Sequence, residues 1–96
     1  MNYKDRYKLL NRVGEQDNIL CESCCMDFAV DVHHIKPKSL YPGSGQDEES
    51  NLIALCRDCH NMAHCGEISM DQLQAITEER IRLRGMGIIR GFRFGL

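Results

Sequence analysis

Two pairs of cysteines carry the shortest-range chemistry in this chain. Cys21-Glu22-Ser23-Cys24 and Cys56-Arg57-Asp58-Cys59 are C-x-x-C knuckles, a spacing that brings both sulfurs of a pair within reach of one tetrahedral Zn²⁺. Two knuckles complete a four-thiolate site. Four thiolates fill zinc's coordination sphere and leave no open position, so such a metal holds the fold and does no chemistry. Buried cysteines can also be plain packing residues, and one C-x-x-C can be a redox pair; two pairs in a short, reduced chain favour zinc. Cys25 and Cys65 are left over, and sliding the first knuckle onto Cys25 gives a poorer spacing than Cys24.

All four histidines fall in two places, His33-His34 within "DVHHIKP" and the pair His60/His64. Any one of them alone would read as a satisfied core or surface side chain. His60 and His64 stand at i and i+4, on one face of a helix, where two imidazoles can meet one cation. Successive helical residues point about 100° apart, so Cys59 can face the zinc while His60 faces elsewhere, and a second, separate site is implied. His33 and His34 are neighbours in an apolar, alternating run, and adjacent strand residues point to opposite sides. One of the two can bind metal while the other keeps a ring nitrogen free to take a proton from water near neutral pH.

The elements that must position these groups are readable in outline. Residues 2 to 14 are expected to be helical, with Asn2 as N-cap, Tyr3, Tyr7 and Leu10 at helical spacing and Gly14 as a stop. "FAVDVHHI" reads as a strand ended by Pro37, and "NLIAL" as a second strand returning antiparallel to it. Between them "KPKSLYPGSGQDEES" has loop chemistry. "RDCHNMAH" shifts to helical spacing and ends near Gly66. "SMDQ" is a capping box that starts a helix over about 70–84, whose Leu73, Ile76 and Leu83 are expected on one side until Gly85. The tail, 85–96, reads as an extended strand or an arm. One domain over 1–96, with its core at 21–66, is the economical reading.

Ninety-six residues bury only a small core, for which a metal is a common support. The opening residues lack the charged and apolar pattern of an export signal, so reduced thiols and a cytoplasmic protein are expected; no apolar run reaches the roughly 18 residues of a membrane span. The net charge of −2 argues against a protein dominated by nucleic-acid binding, yet from Arg80 to Leu96 there are five arginines and no acid. That run, with Phe92 and Phe94 interleaved, suits a phosphate backbone.

In order, "CESC", "DVHHIKP" and "NLIALCRDCHNMAH" resemble the HNH endonuclease family, in the variant whose core is stapled by a four-cysteine zinc site. The likeness runs from Cys21 to His64. It implies an α+β fold, a small ββα-metal (His-Me finger) domain with a helix before it and a helix and basic tail after it. It also implies hydrolysis of DNA phosphodiester bonds with a structural Zn²⁺ and a catalytic divalent cation, Mg²⁺, Mn²⁺, Ni²⁺ or Zn²⁺. Residue by residue, His33 stands at a metal-ligand position of the family and His34 at its general base. Asn51 matches the signature asparagine, here favoured as a brace of the hairpin loop, and His60 the final signature histidine, a metal ligand. His64 resembles the additional ligand of colicin-type members, which many zinc-stapled members lack.

The catalytic set implied is therefore His34, Asn51 and His60, with His33, His60 and His64 as cation ligands. The expected products are a 5′-phosphate and a 3′-hydroxyl, one strand being cut per active centre, in a prokaryotic or phage setting. DNA is the expected partner, with Lys36, Lys38, Arg80, Arg82, Arg84, Arg90 and Arg93 as its contacts, no membrane, and either a monomer or a homodimer. A non-catalytic zinc-ribbon module that binds DNA or protein explains the cysteines and leaves the histidines without a role; a thiol redox protein needs free thiols where zinc is expected.

Overall fold

In the computed structural model, residues 3–11, 18–36, 48–87 and 93–94 are described. Helix α1 spans Tyr3–Leu10 and strand β1 Asn18–Ile19. Strands β2 (Asp31–His34) and β3 (Leu52–Leu55) follow, with a 3₁₀ turn at Glu49–Asn51 leading into β3. Helices α2 (Arg57–His64) and α3 (Met70–Gly85) come next, and a short β4 (Arg93–Phe94) closes the chain. No helix among these residues is long and apolar enough to cross a membrane.

The centre is the antiparallel pair β2–β3, in which Val32 faces Ala54, His33 faces Ile53 and His34 faces Leu52. Side chains alternate across a strand, so each strand feeds two layers. All four residues of β3 are buried, which is why "LIAL" is a continuous apolar run instead of an alternating one. Ile53 and Leu55, with Ile35, pack against Cys21, Cys56, Cys59 and Leu73 on the side of α2 and α3. Leu52, Ala54 and Val32 pack against Tyr7 of α1 on the other. His33 and His34 consequently leave the hairpin toward different neighbours. The expected second strand, the antiparallel return and both flanking helices are all present.

Helix α2 opens on Cys56, whose Sγ accepts the Cys59 N–H at 3.4 Å. It closes on Gly66, at φ +80°, with Gly66 N–H on Ala63 O and Glu67 N–H on Met62 O. Such a left-handed C-terminal wrap is cheap only for glycine. Helix α3 carries the expected capping box, Gln72 N–H to Ser69 Oγ at 3.1 Å and Ser69 N–H to Gln72 Oε1 at 2.8 Å.

Two expectations need revision. The buried face of α3 is Leu73, Thr77 and Arg80; Leu83 lies about 80° from Leu73 around a helix of about 100° per residue and is only half-buried. Helix α1 stops at Leu10, where Asn11 folds back to give both its backbone N–H and its Nδ2 to Tyr7 O; the expected cap at Asn2 and stop at Gly14 lie outside the described residues. The tail, expected as an extended strand or an arm, contributes a two-residue strand, β4, which pairs antiparallel with β1.

Candidate metal centres

The first knuckle is a tight turn between β1 and β2. The Cys25 N–H reaches Cys21 O at 3.0 Å, Cys21 N–H reaches Asp27 O at 2.8 Å, and Cys25 takes φ +57° to make the bend. Glu22 N–H bonds Ala54 O, fixing the knuckle to β3 beside the second knuckle at the start of α2. The Sγ atoms of Cys21, Cys24, Cys56 and Cys59 thereby lie within 4.8 Å of one another, and Cys24 Sγ is 3.8 Å from Cys56 Sγ. Two sulfurs at about 2.3 Å from a tetrahedral zinc are about 3.8 Å apart, so the donor set has the size that zinc requires.

Backbone N–H groups of Met26, Cys24 and Cys59 point at these sulfurs. The Met26 amide is the main reason that the Cys24 thiol titrates below its ordinary range, whereas burial pushes Cys59 and Cys56 up. Four crowded, mostly buried thiolates need a compensating cation, and zinc fits that need. Cys25 and Cys65 are exposed and stand outside the group.

The second cluster joins two elements. His33 comes from β2, His60 and His64 from successive turns of α2, and one ring nitrogen from each lies within 4.8 Å of the others. Ring centroids are 5.0 Å apart for His33–His60, 5.2 Å for His33–His64 and 4.6 Å for His60–His64. Nε2 of His60 is 3.0 Å from Nε2 of His64. Two imidazoles at about 2.1 Å from one cation, at right angles, have nitrogens about 3.0 Å apart. His64, the residue whose transfer from the family was weakest, is as close to the group as the other two.

Electrostatics favour the neutral form of two of these rings, His33 and His60. Burial, followed by the proximity of His60, His64 and His34, holds His33 well down, at about 4. Burial and then His64 lower His60. Neutral imidazole is the form that ligates a metal. Asp31, two residues from His33 on the same face, opposes these effects at both rings. Its own carboxyl is raised by burial, but hydrogen bonds from Lys4 and the Val32 N–H outweigh this and leave it below the usual range.

His34 stands apart from the three clustered nitrogens. Its ring lies 4.3 Å from that of Tyr3, tilted by 54°. Both line an open cleft of about 900 Å³ that also contains His33, His60 and His64, walled by Ala63, Ile68 and Met70. Asn51 is buried at the base of the hairpin and clamps it: Lys36 N–H donates to Asn51 Oδ1 at 2.8 Å and Asn51 Nδ2 donates to Lys36 O at 3.2 Å.

One expected DNA contact is overturned. Arg80 is 2 % exposed and its guanidinium is spent inside the protein, on Glu22 at 2.8 Å, Leu52 O at 3.1 Å and Glu49 O at 2.7 Å. A buried arginine so engaged cannot reach a phosphate. Arg82 is exposed and pairs with Glu79, Arg84 pairs with Glu49 at 2.6 Å, and Lys36 is exposed. Lys38, Arg90 and the side chain of Arg93 lie outside the described residues.

Sequence reasoning missed the network around Arg80. Glu22, inside the first knuckle, accepts from Arg80, from Tyr7 Oη at 2.8 Å and from Ala54 N–H at 2.8 Å. It joins α1, the knuckle, β3 and α3 through one buried carboxylate. The available signal was the phase of Arg80, seven residues after Leu73 and so on its buried face.

No curated protein and no solved structure matches this chain. The sequence profile described as HNH endonuclease matches residues 20–66, a span that contains both knuckles, β2, β3, α2 and every residue of the two clusters. Residues 20–66 thus belong to the HNH endonuclease family, as a ββα domain stapled by a four-cysteine cluster suited to zinc.

Proposed function

We propose that this protein is a divalent-cation-dependent DNA endonuclease that nicks one strand per active centre. The observation that carries this reading is the convergence of His33, His60 and His64 on one point, with His34 set apart from them in the same cleft. A packing role gives three imidazoles no reason to converge. The family match supports nuclease-type chemistry and a divalent cation.

In this reading His33, His60 and His64 hold the catalytic cation, which, when bound, supplies positive charge to the phosphate and the departing oxygen. His34 accepts a proton from the attacking water. The new oxygen–phosphorus bond forms as the phosphorus–O3′ bond breaks, and the 3′ oxygen takes a proton from solvent, which leaves a 5′-phosphate and a 3′-hydroxyl. Asn51 keeps β2 and β3 in register at the hairpin base, and so keeps His33 over α2 and His34 beside α1. Lys36, Lys38, Arg82, Arg84, Arg90 and Arg93 remain proposed phosphate contacts. The whole of residues 1–96 acts as one domain, since α1 and α3 both pack on the matched core.

The experiment is relaxation of supercoiled plasmid with Mg²⁺, Mn²⁺, Ni²⁺ or Zn²⁺ against an EDTA control. A general base is worth ~10²–10⁴-fold, so His34→Ala should lower the nicking rate by that range while zinc content and fold persist. Two tightly bound metal ions with no cleavage under any cation would instead select a zinc-ribbon binding module.

A further inference from the structure

The matched segment begins at residue 20, yet one wall of the cleft comes from well before it. Tyr3 opens α1, is partly buried, lines the same cleft as the four histidines and places its ring 4.3 Å from that of His34. From this we infer that Tyr3 is a positioning residue for His34, so that α1 completes the active centre that the HNH segment only begins. The inference rests on His34 being the general base.

The contact follows from how the hairpin is built. Strand alternation sends Val32 and His34 toward α1 and His33 toward α2, so the ring of His34 meets α1. Helix α1 supplies the contact from two anchored turns. In the first, Lys4 Nζ meets Asp31 Oδ1 at 3.0 Å, tying α1 to the opening residue of β2. One turn later Tyr7 is fully buried among Val32, Leu52 and Ala54, with its hydroxyl on Glu22 at 2.8 Å. Tyr3 is thus not a loose side chain, since the backbone that carries it is fastened at the next residue and again one turn on.

An imidazole at a strand surface can leave a productive rotamer, and small misplacements of a reacting group lower rate steeply. A tilted aromatic pair favours one ring orientation. What Tyr3 offers is the ring itself, which predicts that phenylalanine can replace it and alanine cannot.

The test uses the full chain loaded with zinc, with Mn²⁺ and supercoiled plasmid, comparing Tyr3→Ala, Tyr3→Phe, His34→Ala and the double variant Tyr3→Ala/His34→Ala. Tyr3→Ala is expected to lower kcat about threefold to tenfold, the range a single aromatic pair can supply, with KM for DNA unchanged. Tyr3→Phe should restore most of the rate, and Tyr3→Ala should have no further effect once His34 is gone. The His34 ring-proton resonance should shift in Tyr3→Ala and stay near its original position in Tyr3→Phe. Equal slowing with and without His34, an effect confined to KM, a wild-type rate in Tyr3→Ala, or an unmoved His34 resonance would each overturn the positioning role. Absence of cleavage by the unsubstituted protein, or full activity in His34→Ala, overturns the underlying reading and the inference with it, and is told apart because the Tyr3 variants play no part in those results.

Discussion

The two candidate metal clusters both draw on the same short helix and differ in almost every physical respect. Cys21, Cys56 and Cys59 are 4 % exposed or less, and the sulfurs of Cys21 and Cys56 receive backbone N–H groups. His33, His60 and His64 are exposed to half-buried and open on a cleft. Thiolates that are closed in, saturated and hydrogen-bonded describe a metal that fixes backbone, whereas three imidazoles on an open wall leave coordination positions for solvent or substrate. The helix turns that difference into geometry: Cys59 points inward beside Leu55 and Leu73, while His60, one residue on, points to the cleft. On the proposed reading, a rotation of about 100° separates the cluster that holds the fold from the one that does chemistry.

Cys56→Ser against His60→Ala breaks the comparison most severely. A structural zinc site contributes about 10 kcal/mol or more in small domains, which rivals the whole stability of a short chain. Cys56→Ser should therefore lose cooperative thermal unfolding by circular dichroism. His60→Ala should unfold cooperatively with zinc bound, and lose only the second metal.

Next in size is the buried pair Glu22–Arg80. Arg80→Ala leaves a carboxylate that is 2 % exposed without its cation, and removing one partner of such a pair costs about 3–5 kcal/mol. Urea denaturation should register that loss. A similar loss in Arg82→Ala, whose partner Glu79 is at the surface, would mean that burial is not the cause, because exposed pairs are worth about 0–1 kcal/mol.

The smallest expected effect is on pH dependence. His33 is held near 4 in the fold against an ordinary value of 6.5, so on acidification the unfolded chain binds the proton first. Its contribution to stability is complete above about 6.5 and is lost as the pH falls toward 4. With the histidine site metal-free and the zinc in place, the urea midpoint should drop between pH 7 and pH 5, and His33→Gln should flatten that slope. Asp31, lowered from 3.8, enters only at pH values below this window.

Much of this was legible because the informative spacings are short. A C-x-x-C pair, an i, i+4 histidine pair and the Ser69–Gln72 box each lie within one turn of backbone, where geometry depends on local conformation alone. The β2–β3 return was legible because "LIAL" can be buried on both faces only inside a sandwich of helices. What was not legible depends on partners far along the chain. Arg80 read as a phosphate contact because its charge was visible and its partner, 58 residues earlier, was not. Tyr3 read as one residue of a helical stripe, because nothing in the local sequence couples it to His34. Leu83 was expected in the core, yet Thr77 and Arg80 fill that face, since the 3₁₀ turn offers α3 the carbonyls of Ser50 and Glu49 rather than apolar surface.

The division between a fold-holding cluster and a working cluster is tested most directly by selective metal removal. Brief treatment with EDTA, followed by metal analysis, circular dichroism and plasmid nicking on the same sample, reads all three quantities together. The account predicts that nicking is abolished while one zinc per chain and the native spectrum remain, and that added Mn²⁺ restores activity at once. Loss of activity only in step with loss of zinc and of the fold would contradict it.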